Sequence, residues 1–289
     1  MPKVALLPAR GLGDALIMMI GAHHFFLKGD EVTLFHDQIQ ALAPWCPFAT
    51  IRPRSSFTKE PFDEIILQND NKPPSKALIA ENLPNLRILY ASHKPKKHPP
   101  LRPQDVLFDP TRPMGENIAC TFNCPLAYPL KSPTPLTKGR FSKRIIIHPT
   151  SALPQKDYPR SQWLKVIKHL KLKGFEPTFM VAPSERAHFP ESPEFPSFSD
   201  AAAFLYESGG LIGVDSSLGH LASLFERPVL TVASCQKHMA LWRPAWGGSL
   251  ATPPRIIPNI KGLRLRERHW TRFVTPSKIV NKFLKSYYN

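Results

Sequence analysis

With 289 residues the chain is long enough for two domains, each with its own core, and its 42% hydrophobic content suits a soluble globular protein. Lys and Arg number 38 against 22 Asp and Glu, giving a formal charge of +16, so an anionic partner is expected: a phosphorylated substrate, an acidic membrane surface or nucleic acid. Cys46, Cys120, Cys124 and Cys235 show no paired framework, and Cys120 and Cys124 lack a second His or Cys pair to complete a metal site, so reduced thiols in a cytosolic protein are expected.

The opening MPKVALLP is broken by Pro8 and Arg10, unlike a secretory signal. Residues 4–7 are a short apolar run, the pattern of a buried parallel strand. They lead into Ala9, Arg10, Gly11, Leu12, Gly13 and Asp14, then into a segment apolar nearly all round (Leu16, Ile17, Met18, Met19, Ile20, Phe25, Phe26). That predicts a helix buried against a sheet, too short to span a bilayer. Gly11 and Gly13 allow a tight strand-to-helix turn, but the third glycine of a dinucleotide fingerprint is replaced by Leu16. Asp14 stands where the helix begins, either as its N-cap or as a functional carboxylate. Residues 32–35, 64–67 and 86–90 predict further strands with helical segments between, so the expected class is α/β with a doubly wound parallel sheet. Residues 93–100 (HKPKKHPP) form a basic, proline-rich loop, either a solvated face or a rest for an anionic surface.

Residues 129–143 carry three prolines, small polar residues and several cations, and read as an interdomain linker. A strand at 144–147 then ends in His148, Pro149, Thr150 and Ser151. The helix at 161–173 places Trp163, Val166, Ile167 and Leu170 on one face. A strand at 177–181 ends near Glu185, and 198–206 is a short helix. Residues 211–214 (LIGV) form the next strand, stopping at Asp215, Ser216 and Ser217; a helical segment at 218–225 carries His220 one turn in, and 229–232 is a further strand. Ligands of open α/β sheets collect at strand carboxyl ends beside helix N-termini. Asp215, Ser216, Ser217 and His220 would meet there, with the N–H groups of Ser217, Leu218 and Gly219 turned toward a phosphate. The plainer reading is a helix cap. Residues 234–248, with aromatics and Arg243, follow a strand end and would form a wall of the same cleft. A last helix at 275–287 has Ile279, Val280, Phe283, Leu284 and Tyr287 as its packing face.

Three of these stretches resemble glycosyltransferase family 9, the heptosyltransferases of lipopolysaccharide core assembly. Gly13-Asp14 before an apolar helix is similar to the family's N-terminal Gly-Asp motif. Lys156-Asp157-Tyr158-Pro159, with Trp163 four residues on, is similar to its Lys–aromatic–Pro–x–x–x–Trp pattern. Gly213 through Ala222 (GVDSSLGHLA) resembles its Asp-Thr-Gly-Leu-x-His-Leu-Ala signature, with Ser216 and Ser217 in place of Thr and Gly. Weaker echoes are Glu185 and the pair Arg243-Pro244.

The resemblance implies a GT-B fold: two Rossmann-like domains facing a cleft, an acceptor domain at 1–139, a nucleotide-sugar domain at 140–274, and a helix at 275–289 crossing back to the first. It implies an inverting transfer of a sugar, a heptose, from a nucleoside-diphosphate donor, an ADP-sugar, to a lipopolysaccharide-type glycolipid. Asp14 would be the catalytic base, with Gly11 and Gly13 in the acceptor-side loop. Thr150, Ser151, Lys156, Ser216, Ser217, the Leu218 amide and His220 would bind the donor phosphates, with Asp215 orienting His220, capping the helix or meeting a sugar hydroxyl, and Glu185 accepting from the ribose. The sequence contains no Asp-x-Asp pair, so no metal and no cofactor are expected beyond the donor itself. The expected protein is a cytoplasmic monomer working at the inner face of a membrane on an anionic glycolipid. A degenerate, non-catalytic binder of nucleotide or anionic glycolipid is the alternative. Nucleic acid is set aside because the cations are scattered over both halves without a reading module, and a nicotinamide dehydrogenase because of the missing glycine.

Overall fold

The computed structural model describes residues 1–151, 156–253 and 269–288. They form two units, Met1–Pro133 and Thr134–Asn289.

The first unit opens with β1 (Lys3–Leu7), α1 (Leu12–Leu27) and β2 (Glu31–Phe35). Because α1 is apolar on every side, it is buried along most of its length, from Ala15 to Ala22 and again at Phe25. β3 (Thr50–Arg52), β4 (Glu64–Gln68), α2 (Pro73–Ala80), β5 (Leu86–Tyr90), β6 (Val106–Leu107) and α3 (Met114–Phe122) complete it. The strands pair in parallel in the order β3-β2-β1-β4-β5-β6. The chain winds outward from β1 through β2 and β3, then returns to the other side of β1 at β4. The carboxyl ends of β1 and β4 therefore flank the switch point, where a ligand crevice forms in sheets of this kind.

The second unit repeats the plan with β7 (Phe141–His148), α4 (Arg160–Leu172), β8 (Glu176–Phe179), a 3-10 turn (Pro183–His188), α5 (Phe198–Tyr206), β9 (Ser208–Val214), α6 (Ser217–Leu224), β10 (Val229–Val232), α7 (Gln236–Trp242) and β11 (Ser249–Ala251). The strand order is β11-β10-β9-β7-β8, again parallel, with the switch point between β7 and β9. All seven residues of β9 are buried. Among the described residues two helices close the unit, α8 (Trp270–Phe273) and α9 (Pro276–Tyr288).

The structure differs from the sequence expectations in three places. The strand expected at 144–147 begins earlier, inside the expected linker, because the Arg144 guanidinium stacks 4.4 Å from the Phe141 ring and 3.7 Å from Phe204 and holds the extra turn of strand. A shift of register lies between Phe141 and Ile145. The short strands β3, β6 and β11 carried no period-2 signal and went unpredicted. The strand expected at 177–181 starts a residue earlier and stops at Phe179. The last helix lays Ile279, Val280 and Phe283 into the core of the second unit, and Tyr287 donates to the Ser142 carbonyl at 2.9 Å.

Candidate active site

In the first unit the chain leaves β1, turns at Gly11 and enters α1 with Asp14 in its first turn. Gly11, not Asp14, is the N-cap, and Asp14 reaches back toward the Gly11 amide from the third helical position, the carboxylate half of a capping box. A Cβ on Gly11 would stand 2.6 Å from Asp14 Oδ2, so only glycine lets the carboxylate fold back this closely. The other oxygen, Oδ1, accepts from Gln68 Nε2 at 2.7 Å. Gln68 is the last residue of β4, and its own oxygen accepts the Ala9 N–H at 3.1 Å, which fixes the amide so that nitrogen faces Asp14. Burial pushes the Asp14 carboxyl up to about 6, with the nearby Asp70 charge adding to it and the Gln68 hydrogen bond opposing it. A carboxylate poised near neutral pH at a switch point is suited to accept a proton.

Beside it lies a cavity of about 490 Å³ lined by Arg10, His36, Asp37, Arg54 and Pro74 among others. Arg10 lies 3.8 Å from Asp70, and Arg54 donates to Ser75 Oγ at 3.2 Å and to the Pro8 carbonyl. Buried His36 accepts from the Ile39 N–H at Nδ1, 3.4 Å, so its Nε2 donates to the Arg10 carbonyl at 3.1 Å; burial holds its pKa down and keeps it neutral. Sequence reasoning missed Gln68, Arg54 and His36. The signal for Gln68 was present: a polar residue closing the apolar run Glu64–Gln68 at the carboxyl end of a strand.

In the second unit, Lys156 and Asp215 come together at the β7/β9 switch point, Nζ to Oδ2 at 2.8 Å. Two aromatics fix the segment that presents the lysine. Tyr158 is buried and donates to the Val274 carbonyl at 2.5 Å, and its ring stands edge-on to fully buried Trp163 at 5.2 Å. The aromatic and tryptophan of the Lys156 motif are thus anchors, and Lys156 is what they position. Asp157 accepts from the Ser151 N–H at 2.9 Å and from its hydroxyl at 3.1 Å, tying the β7 exit to the same segment. Thr150 donates to Glu185 Oε2 at 2.9 Å, and that carboxylate also takes the Ala182 N–H at 3.0 Å.

Ser216 is the N-cap of α6, but its side chain makes no capping bond. Its buried hydroxyl oxygen has no partner among the described residues, nor has Nδ1 of buried His220. Burial pushes the His220 pKa down to about 4, against a smaller opposing pull from the Asp215 charge, so the ring is neutral at pH 7. Asp215 holds Lys156, a contact the sequence did not point to. Of the three amides expected to face a ligand, that of Gly219 is taken by the Ser216 carbonyl at 3.2 Å, because the helix opens with a tight turn; Ser217 and Leu218 hold the first two positions. Gly213 lies opposite His148 in the β7/β9 ladder, and a Cβ there would meet the His148 carbonyl at 2.8 Å. A cavity of about 150 Å³ adjoins Lys156 and Asp215, walled by Val232, Ala233, Ser234 and Cys235. Arg243 ends α7 as its C-cap. Among the described residues no group of three or more His, Cys, Asp or Glu side chains could hold a metal ion, and no helix is long and apolar enough to cross a membrane.

Residues 131–245 match the family model described as glycosyltransferase family 9 (heptosyltransferase), a span that includes Lys156, Asp215 and His220. That stretch lies largely in the second unit and is similar to the family 9 glycosyltransferases. Among solved structures, the ADP-heptose lipopolysaccharide heptosyltransferase II of E. coli is similar, with a TM-score of 0.72 at 13% identity over 99% of this chain and 98% of that one. The E. coli heptosyltransferase WaaC with ADP gives 0.68 at 13% identity, covering 99% of each chain. The dodecameric, iron-containing glycosyltransferase TibC of enterotoxigenic E. coli gives 0.62 at 14% identity, over 99% of this chain and 76% of that one. At such identities the likeness is one of fold, and it gives the two parallel-sheet units a GT-B architecture. No curated protein sequence matches the chain significantly.

Proposed function

We propose that this chain is a glycosyltransferase of the family 9 kind, which moves a glycosyl group, a heptose, from an ADP-sugar to an anionic glycolipid of the lipopolysaccharide core type, with inversion and without a metal. The first unit takes the acceptor and the second the donor. The acceptor oxygen attacks the anomeric carbon and gives its proton to the Asp14 carboxylate. A new carbon–oxygen bond forms as the bond to the diphosphate breaks, and ADP leaves carrying the charge. Lys156, the Ser217 and Leu218 amides that open α6 and the Ser216 hydroxyl stabilise that charge, while Thr150 and Ser151, whose hydroxyls donate to Glu185 and Asp157, hold those carboxylates in place. Preorganised donors of this kind are each worth about 3 kcal/mol in favourable cases. Neutral His220 offers a hydrogen bond, not a charge, and Glu185 accepts from the ribose. A single displacement inverts the anomeric centre.

The observation that carries this reading is the Asp14 carboxyl, half-buried at a switch point and poised near pH 6. The arginine-lined cavity beside it supports an anionic acceptor, and the +16 charge supports a peripheral encounter with the cytoplasmic face of an anionic membrane. The name of WaaC with ADP and that of heptosyltransferase II support the donor. The test is ADP release and sugar transfer by purified protein with ADP-heptose and a core acceptor, with Asp14→Asn as control. Transfer by the wild type and its loss in the variant supports the enzyme. Equal background rates together with tight ADP binding mean a binding protein on the same scaffold.

A further inference from the structure

A second cavity of the first unit, about 620 Å³, lies between α2, β5 and the basic loop at 93–100. Its lining is uniform in hydrogen-bonding character. Every side-chain acceptor on it is already engaged. Asn69 Oδ1 takes the Asn71 N–H at 2.9 Å, and Asn71 Oδ1 takes His98 Nε2 at 2.5 Å. His98 Nδ1 takes the Lys94 N–H at 3.0 Å, which leaves the proton on Nε2. Asn82 Oδ1 takes Arg102 Nη1 at 3.3 Å. The Asp105 carboxylate is filled by the Arg102 guanidinium, the Arg102 amide and the Ile88 amide. Once their oxygens are occupied, the asparagines present NH₂ groups. Asn69 is only 8% exposed, and its NH₂ enters no hydrogen bond among the described residues. Lys76 and Lys97 line the same cavity and enter no ion pair among the described residues. Both charges reach His98 and, after its burial, help hold that ring neutral.

We propose that this cavity binds a phosphorylated saccharide, the phosphomonoester held between Lys76, Lys97 and the amide of Asn69. A phosphomonoester carries nearly two charges and three acceptor oxygens, which matches two ammonium groups and an amide. The space is several times that needed for the bare ion and is of the size that holds small ligands. Its remaining walls, including Ile79, Ile88 and Pro99, suit the less polar face of a sugar ring. The loop is built rather than loose: the turn at Lys94 accepts the amides of Lys97 at 2.8 Å and His98 at 2.9 Å, and His98 pins it to Asn71, which sits in the left-handed region at φ 60°. The cavity also shares the exit of β4 with the site above, since Gln68 holds Asp14 and the next residue, Asn69, lines the cavity. The same phosphosaccharide could arrive free in solution or as a headgroup on a membrane.

The test is calorimetric titration of the full chain with glucose 6-phosphate, and sedimentation with phosphatidylcholine vesicles with and without phosphatidylinositol 4-phosphate. Variants are Lys76→Gln, Lys97→Gln, the double variant and Lys156→Ala. The lysines are exposed, so the variants keep the wild-type melting temperature. Expected is binding of glucose 6-phosphate that weakens about tenfold per lysine removed and is unchanged in Lys156→Ala. Lysine-dependent binding confined to the doped vesicles supports the headgroup source. No binding of either probe, or binding that survives in the double variant, overturns the proposal. The readout does not depend on sugar transfer, so it stands or falls apart from the proposed activity.

Discussion

Gln68 and Asp14 face each other across the switch point of the first sheet, amide nitrogen to carboxylate oxygen at 2.7 Å, one closing β4 and the other opening α1. The bond sets a balance. Burial drives the carboxyl toward its neutral form, and the Gln68 donor holds it back at about 6. The rate of sugar transfer, as kcat/KM, should therefore rise with pH through about 6 and level off above it. Replacing Gln68 with Leu removes the donor that favours the anion, so the rising limb should move to higher pH. A limb that stays in place in Gln68→Leu would remove Asp14 from the role of base.

Asp14→Asn should lower kcat by roughly 100-fold or more, the usual share of a positioned base, and should alter stability in a pH-dependent way. The folded-state carboxyl is raised from 3.8 to about 6, so it binds its proton more readily in the folded state. Its stabilising contribution is complete below about pH 4 and is lost as pH rises through about 6. The loss is on the order of 3 kcal/mol for a shift of this size. His220 acts in the opposite sense: its folded pKa of about 4 lies below the unfolded value, so stability falls as pH drops from about 6.5 toward 4. His36 and His148 are shifted in the same direction as His220 by burial. Urea titrations at pH 5 and pH 7.5 should show Asp14→Asn gaining on the wild type at the higher pH and His220→Gln gaining at the lower.

Lys156→Ala should weaken ADP binding by about tenfold to a hundredfold, the worth of one charge-assisted contact to phosphate. The melting temperature should change little, because the pair it forms with Asp215 is partly open to solvent, 29% and 15% exposed. Isothermal titration with ADP checks this. An unchanged affinity would take Lys156 out of the donor site.

Gly213→Ala should destabilise the second unit by about 1–3 kcal/mol, the usual range for overpacking. The added methyl meets a main-chain carbonyl of β7 at 2.8 Å, and a strand in the middle of a sheet has little room to move away. Because β7 and β9 flank the switch point, ADP affinity should fall with stability. Chemical denaturation and ADP titration on one preparation would show whether the two losses travel together.

Much of this arrangement could be read from residue order. Apolar runs of four or five residues separated by amphipathic or wholly apolar helices are enough to indicate two parallel sheets, and the polar residues after each run mark the strand ends where Asp14, Thr150 and Asp215 lie. What escaped was pairing. Nothing in the spacing of Lys156 and Asp215 shows that they meet, because their contact depends on β7 lying beside β9, and strand order is not written in local pattern. Gln68 escaped because the strand was ended one residue early, and boundaries are weakly encoded. Arg54 escaped because it follows β3, a three-residue strand too short to give a period. The aromatics of the Lys156 motif were legible as a family resemblance, but only packing shows that Tyr158 and Trp163 are supports.

The docking of α9 bears on the order in which the protein can be made. Phe283 lies against the main chain of Gly210 so closely that a Cβ there would stand 2.9 Å from its ring, and Ile279 and Val280 complete the same core. A nascent chain that has emerged as far as β11 holds the five described strands of the second sheet yet lacks the residues of α9 that pack on it. The first unit, Met1–Pro133, is complete in sequence once Pro133 has emerged, whereas the core of the second takes in residues of α9 and must wait for 276–288 to emerge. Ribosome stalling just before that helix would therefore release a half-finished molecule, with a folded first unit and a sticky, protease-sensitive second.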